Sequence, residues 1–290
     1  MPFFPIDVDG HSGCSINIIE RDRQLLLSKS CSDDGYAPRL IKQADKQQKF
    51  FEAGFDRVQT PLIHSVEQHG NTCTVIMDYI HSHNFVEFLD TAGFEKIERF
   101  SQQLVQFIEW EIQRSVMLKL AEVTVKDKFS DVAGKIAVVY HDNKEILLLL
   151  ARSEKVFTGS GELFIPVGQC HGDLTLSNII FNNDRIFLVD FLDSFIESPL
   201  IDMVKLRQDT ALGWSYLMYG KNYDKVRHQI TMQWLDKVLE HHFMQYEWYL
   251  KYYSDFQLLN LLRILQYAKE PGVTAFLKTS ISKILDHHGL

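Results

Sequence analysis

The sequence predicts an α+β protein in two lobes, a small β-rich N-terminal lobe with one helix and a larger, mainly helical C-terminal lobe. Three observations lead there. Short apolar runs bounded by turn residues crowd positions 1–80. Helix-period patterns dominate from Phe94 onward. Between them, His81-Ser82-His83-Asn84 breaks both patterns and reads as the end of a short connection. The expected boundary therefore separates residues 1–80 from 81–290.

The elements follow in order. A turn cluster at 10–15, the apolar run Ile16 to Ile19, the charged turn after it and Leu25-Leu26-Leu27-Ser28-Lys29 make a hairpin. Residues 39–55 combine strong helix formers with Pro38 at the start and Gly54 at the stop. Residues 73–80, nearly all apolar and β-rich, read as a buried strand. Phe94, Ile97, Phe100, Leu104, Phe107, Ile108 and Ile112 recur at three- and four-residue steps, which marks a long amphipathic helix. Leu163 to Val167 is strand-like, and Ile179–Phe181 with Ile186–Val189 forms a hairpin turned by Asn182-Asn183-Asp184. From Leu200 the chain is helical and rich in Tyr, Trp and Phe, most of which are expected in the core.

Composition narrows the functional classes. The chain has 290 residues, 46% hydrophobic and 23% charged, an ordinary globular balance with ample length for a core. With 38 acidic against 30 basic residues the net charge is −8, and no Lys/Arg run occurs, which argues against nucleic acid and anionic membrane as partners. The four cysteines have no CxxC spacing, so reduced thiols are expected rather than disulfides or a zinc site. The N-terminal residues lack a basic region and a long apolar stretch, so a cytoplasmic protein without a signal peptide is expected. His241-His242 and His287-His288 have no third ligand nearby in sequence and read as surface residues.

The polar loop "CHGDLTLSN" (170–178) lies between strand-like segments, where a scaffold presents chemistry. Asp173 and Asn178 are followed, after the hairpin, by Asp190 at the end of its second strand. A strand–turn–strand brings Asn178 and Asp190 to one edge, with Asp173 nearby. Two oxygen ligands at one point suit Mg2+ when nucleotide phosphates fill other positions. Asp173 is then free to orient a hydroxyl and accept its proton.

His171-Gly172-Asp173, Asn178 and Val189-Asp190-Phe191 together resemble the protein-kinase-like superfamily, more narrowly its aminoglycoside phosphotransferase and choline kinase branch. The resemblance spans roughly residues 8 to 270. It implies a bilobal protein-kinase-like fold and transfer of the γ-phosphoryl group of ATP or GTP, with Mg2+, to a small-molecule hydroxyl. Asp173 would be the catalytic base, Asn178 and Asp190 the metal ligands, and His171 a structural support. Gly10, Ser12, Gly13 and Ser15 would form a degenerate Gly-rich loop toward the phosphates. Lys29 would be the phosphate-binding lysine; the bland alternative is a solvated strand-end lysine. Met77, Asp78, Tyr79 and Ile80 would form the hinge beside the base. Asp202 matches an Asp that accepts backbone hydrogens of the catalytic loop. Asp193 and Glu197 are open between acceptor contacts and simple exposure.

One departure stands out. The family pairs the strand lysine with a helix Glu, yet "KQADKQQKFFEAGF" has none at the expected distance from the helix end. Asp45 or Gln47 can substitute, or the pairing forms only with nucleotide bound. The missing Glu motivates a second reading, a nucleotide-binding pseudokinase. A Mg2+-dependent phosphohydrolase would use the same carboxylates but needs neither hinge nor second lobe. The acceptor is expected to be a sugar or an amino alcohol, with sugars favoured because no dense acidic cluster is dedicated to a polycation.

Overall fold

The computed structural model describes residues 4–5, 14–33, 35–121, 123–158, 162–182 and 185–290. Contacts divide the chain into two compact units, 1–107 with 171–194, and 108–170 with 195–290.

The first unit centres on an antiparallel five-stranded sheet of order β1-β2-β3-β6-β5, from Phe4–Pro5, Ser15–Arg21, Gln24–Cys31, Thr72–Asp78 and Ile63–His69. The β2–β3 turn is Asp22-Arg23, both left-handed, with φ of 50° and 65°. That is the twist a two-residue hairpin requires, made here without glycine. Helix α1 (Ala37–Ala53) opens with Pro38 in its first turn and closes at Gly54, whose φ of 65° lets its N–H return to the Phe50 carbonyl. Its buried Ala37, Leu40 and Ala44 pack with Cys31, Cys73 and Val75 of β3 and β6. The cysteines are free thiols. Register pairs Lys29 with Ile16 on one side and Val75 on the other, so Lys29 sits in the middle of the sheet rather than at a solvated strand end.

The same unit holds a second sheet, β4-β10-β9, from Val58–Gln59, Arg185–Leu188 and Ile179–Asn182. β9 and β10 pair Ile179 with Leu188 and Asn182 with Arg185; β4 runs parallel to β10. Helix α2 (Phe85–Thr91) starts with a capping box, in which Asn84 accepts from the Glu87 N–H and Glu87 accepts from the Asn84 N–H. Phe88 of α2 stacks on Phe181 of β9 at 3.9 Å. Helix α3 (Phe94–Gln113) is the long amphipathic helix that the apolar spacing predicts.

The second unit is mainly helical. It contains the β7–β8 pair (Val116–Leu120 and Leu163–Val167), α4 (Val123–Val139), α5 (Lys144–Phe157), α6 (Pro199–Thr210), α7 (Trp214–Leu217), α8 (Lys225–Phe243), α9 (Glu247–Leu265) and α10 (Pro271–His287). Arg207 of α6 is its buried electrostatic centre. It donates to both Asp236 carboxylate oxygens at 2.8 Å and to the Tyr249 hydroxyl at 2.7 Å. Trp248 and Tyr249 are core, whereas Trp214, Tyr216, Tyr219 and Trp234 are half-buried. His242, expected at the surface, is half-buried and bonded to Glu109 at 2.7 Å. Among the described residues no helix is long and apolar enough to cross a membrane.

Candidate active site

Lys29, His171, Gly172, Asp173, Asn178 and Asp190 all belong to the first unit. The β9–β10 ladder sets their geometry. It ends at Ile179–Leu188 and continues by one bond, from the Val189 N–H to the Asn178 carbonyl. Asn178 and Val189 therefore lie opposite each other, and Asp190 is the next residue. Its φ of 61° is left-handed, an uncommon state for a residue with a side chain and one that Asp tolerates better than most. That turn carries the carboxylate away from the ladder at the point where the strand stops.

Backbone bonds, the His171 imidazole and the Asn178 amide all take part in holding the loop. The Asp173 N–H donates to His171 Nδ1 at 3.2 Å, which leaves Nε2–H to donate to the Val189 carbonyl at 2.9 Å. The fully buried His171 also packs against Phe191, ring centres 4.3 Å apart and planes tilted by 39°. His171 thus ties the 171–173 turn to the end of β10. The Asn178 amide nitrogen donates to the Asp173 carbonyl at 2.8 Å and to its Oδ2 at 3.1 Å. Asn178 Oδ1 is the atom left over.

Gly172 is fixed by the same closeness. Its φ is 86°, and a Cβ there would sit 2.1 Å from the Leu192 carbonyl oxygen, a backbone atom that cannot swing aside. Gly172→Ala is expected to cost about 2–4 kcal/mol through strain and overpacking. Thermal unfolding should show the loss, and hydrogen exchange should locate it in residues 189–194. An alanine variant as stable as the parent would contradict this packing.

Lys29 answers the question left by the absent helix Glu. Its Nζ donates to Asp190 Oδ1 at 2.8 Å, with the lysine side chain 7% exposed and the aspartate 52%. Burial alone would lower the lysine pKa; the charge and hydrogen bond of Asp190 outweigh it, so the pKa is raised. Without nucleotide, neither Asp45 nor Gln47 pairs with Lys29 among the described residues. Asp45 accepts from Lys49 on the exposed face of α1, and the buried Gln47 donates to the Pro61 carbonyl at 2.8 Å. A residue not singled out in the sequence, Lys46, instead reaches the loop and donates to the Leu192 carbonyl at 2.6 Å.

The other expected site residues are placed as follows. Gly10, Ser12 and Gly13 lie outside the described residues. Ser15 opens β2 and donates to the Ser30 carbonyl at 3.4 Å. Met77 and Asp78 end β6, where Asp78 accepts from Gln24 and pairs with His64 at 2.7 Å. The backbone groups of Tyr79 and Ile80, beyond the strand, bond to no described residue. Asp193 is exposed, 3.9 Å from Arg39. In the second unit, Glu197 accepts from the Cys170 thiol at 3.3 Å, and Asp202 is 0% exposed in the first turn of α6.

Asn178 Oδ1 and Asp190 Oδ2 are hard oxygen donors suited to a divalent cation. Among the described residues no three His, Cys, Asp or Glu side chains gather as a metal cage. That donor set fits a cation completed by phosphate and water, the habit of Mg2+.

No protein-family model and no curated protein matches the sequence. Solved structures do. An amicoumacin kinase bound to AMP-PNP, Ca2+ and Ami is 11% identical, with 98% of this chain and 88% of that chain covered and a TM-score of 0.58. APH(2")-IIa, in its ternary complex with streptomycin and ATP, is 14% identical over 95% and 90% of the two chains, with a TM-score of 0.60. A choline/ethanolamine kinase family protein from Mesorhizobium loti is 11% identical over 98% and 88%, with a TM-score of 0.51. The chain has the α+β protein-kinase-like fold that the aminoglycoside phosphotransferases and choline kinases share.

Proposed function

We propose that this chain is a small-molecule kinase that transfers the γ-phosphoryl group of ATP or GTP to a hydroxyl group. The observation that carries the reading is the Asp173–Asn178 bond and the Lys29–Asp190 pair at one end of the β9–β10 ladder. Asn178 and Asp190 would hold Mg2+, which would supply positive charge to offset that of the nucleotide phosphates. Asp173 would orient the acceptor hydroxyl and take its proton as the new O–P bond forms and the bond to the β-phosphate oxygen breaks. Lys29 would follow the phosphates, exchanging Asp190 for them when nucleotide binds. The backbone of Tyr79 and Ile80, bonded to no described residue, offers donors and acceptors of the kind an adenine or guanine edge requires. Gly10, Ser12, Gly13 and Ser15 would complete the phosphate cradle.

The remaining assignments belong to the same reading. The lobes would meet at 80/81, Asp202 would buttress the catalytic loop, and Asp193 and Glu197 would face the acceptor. The acceptor would be a sugar or an amino alcohol, and the protein cytoplasmic. The resemblance to solved small-molecule kinases supports the reaction class, and the intact Asp–Asn–Asp set supports turnover over mere nucleotide binding.

The test is Mg2+-dependent consumption of ATP and GTP against a panel of sugars, amino alcohols and aminoglycosides. Consumption that requires one class of hydroxyl is the expected result. Nucleotide binding by calorimetry with no consumption across the panel would replace the kinase with the pseudokinase.

A further inference from the structure

Helix α1 touches the loop that follows β10 through Arg39, Lys46 and Phe50. Arg39 lies 3.9 Å from the Asp193 carboxylate. Lys46 donates to the Leu192 carbonyl at 2.6 Å. Phe50 packs against Phe191 at 5.2 Å between ring centres. Positions 39, 46 and 50 are seven and four residues apart, so they share one face of the helix. The Arg39 pair is exposed on both sides and contributes little. The Lys46 bond is short, partly buried and made to a backbone oxygen, so it constrains where the loop can go.

That oxygen lies at a crowded place. The Leu192 N–H donates to the His171 carbonyl at 3.0 Å, and the Leu192 carbonyl lies where a Gly172 Cβ would be. The peptides on either side of Leu192 are therefore held from the catalytic turn through its N–H and from α1 through its carbonyl. Two residues upstream is the left-handed Asp190. A left-handed aspartate is a strained conformation that persists only where its surroundings hold it.

We propose that Lys46 is a positioning residue for phosphoryl transfer, holding the Leu192 carbonyl from α1 and so keeping Asp190 turned toward the metal position. The inference rests on the phosphotransfer reading of the Asp173–Asn178–Asp190 set. It also gives a physical reason for the absent helix Glu. Without nucleotide Lys29 takes its carboxylate from Asp190, and in the proposed reaction the phosphates take over that role, so no helix acid is needed to pair it. A carboxylate at position 46 would oppose a carbonyl oxygen where the ammonium now donates. Helix and loop are tied by a cation, with the helix as donor.

Two measurements on Lys46→Met, Lys46→Arg and Lys46→Glu test this. Hydrogen exchange of residues 190–194 needs no ligand and reads the tie directly. Calorimetric titration of ATP at graded Mg2+ reads its consequence. Met keeps most of the stem and loses the donor, so exchange should speed up about tenfold or more and the Mg2+ required for half-maximal ATP binding should rise about tenfold or more, at least the worth of the charge-assisted hydrogen bond to Leu192. ATP affinity without Mg2+ should not change, a split that a merely structural lysine would not produce. Arg should restore both readings to within about threefold of wild type. Glu should exceed Met in both. Wild-type exchange and Mg2+ dependence in Lys46→Met would overturn the assignment, as would faster exchange with an unchanged Mg2+ requirement. A wild-type protein that binds no Mg-ATP overturns the phosphotransfer reading and this inference with it. A wild type that binds Mg-ATP beside an indifferent Lys46→Met overturns this inference alone.

Discussion

Asp173→Asn is expected to reduce turnover by ~10²–10⁴ while Mg-ATP affinity and thermal stability stay close to wild type. The geometry separates the two effects. The backbone of Asp173 anchors the loop: its N–H donates to His171, and its carbonyl accepts from Asn178 and from the Thr175 N–H at 2.7 Å. None of those bonds involves the carboxylate. A bond that does, from Asn178 Nδ2 to Oδ2, has a replacement in the amide oxygen of an introduced asparagine. The substitution therefore removes the proton acceptor while these backbone anchors and the Asn178 bond can persist. Single-turnover transfer and calorimetry on the same preparation provide the check. Transfer at the wild-type rate would take the base role away from Asp173.

The part of this site legible in the sequence is the part that a short ladder determines. Side chains alternate along a strand with period two, so a hairpin from Ile179 to Leu188 commits Asn178 and Val189 to opposite positions and Asp190 to the next. The motif spacing could be turned into geometry without further knowledge. Lys29 was legible as a residue but not as a pair, because its partner lies 161 positions away and nothing local signals it. The sequence directs attention to an acid on α1, and the structure answers with a base. Lys46 reads as an ordinary helix-face charge until Arg39 and Phe50 are seen to share that face. Strand β4 has only two residues and a non-local parallel partner, too little for any pattern to detect. Helix α2 did carry a signal, Asn84 with Glu87 three residues on, hidden within what reads as a break. The acceptor stayed illegible for a different reason: its contacts depend on how side chains from distant segments converge, which no local spacing encodes.

The Lys29–Asp190 pair should respond unequally to loss of either member. Asp190→Ala leaves an ammonium that is 7% exposed without its counter-charge. The cost should be about 2 kcal/mol, below the ~3–5 of a fully buried pair because Asp190 is half exposed and water already screens the interaction. In a chain of this length that is about 4–6 °C in Tm. Lys29→Met removes the buried charge and keeps a side chain of similar length, while the half-exposed Asp190 remains solvated. Its Tm should fall by less, yet phosphoryl transfer should drop ~10²–10³, the loss expected when one group that stabilises transition-state charge is removed. Lys29→Met/Asp190→Ala should then be more stable than Asp190→Ala alone. The pH dependence follows from the raised lysine pKa. The pair's contribution is fully present below the unfolded lysine value, about 10.4, and is lost only as pH rises through the higher folded value. The stability gap between wild type and Asp190→Ala should accordingly hold steady near neutral pH. It should begin to narrow as pH rises through the burial-lowered lysine value of the variant, below about 10.4, and go on narrowing until the raised wild-type value is passed. Equal Tm losses in the two single variants, or a gap that closes near neutral pH, would mean that the buried ammonium is not what Asp190 stabilises.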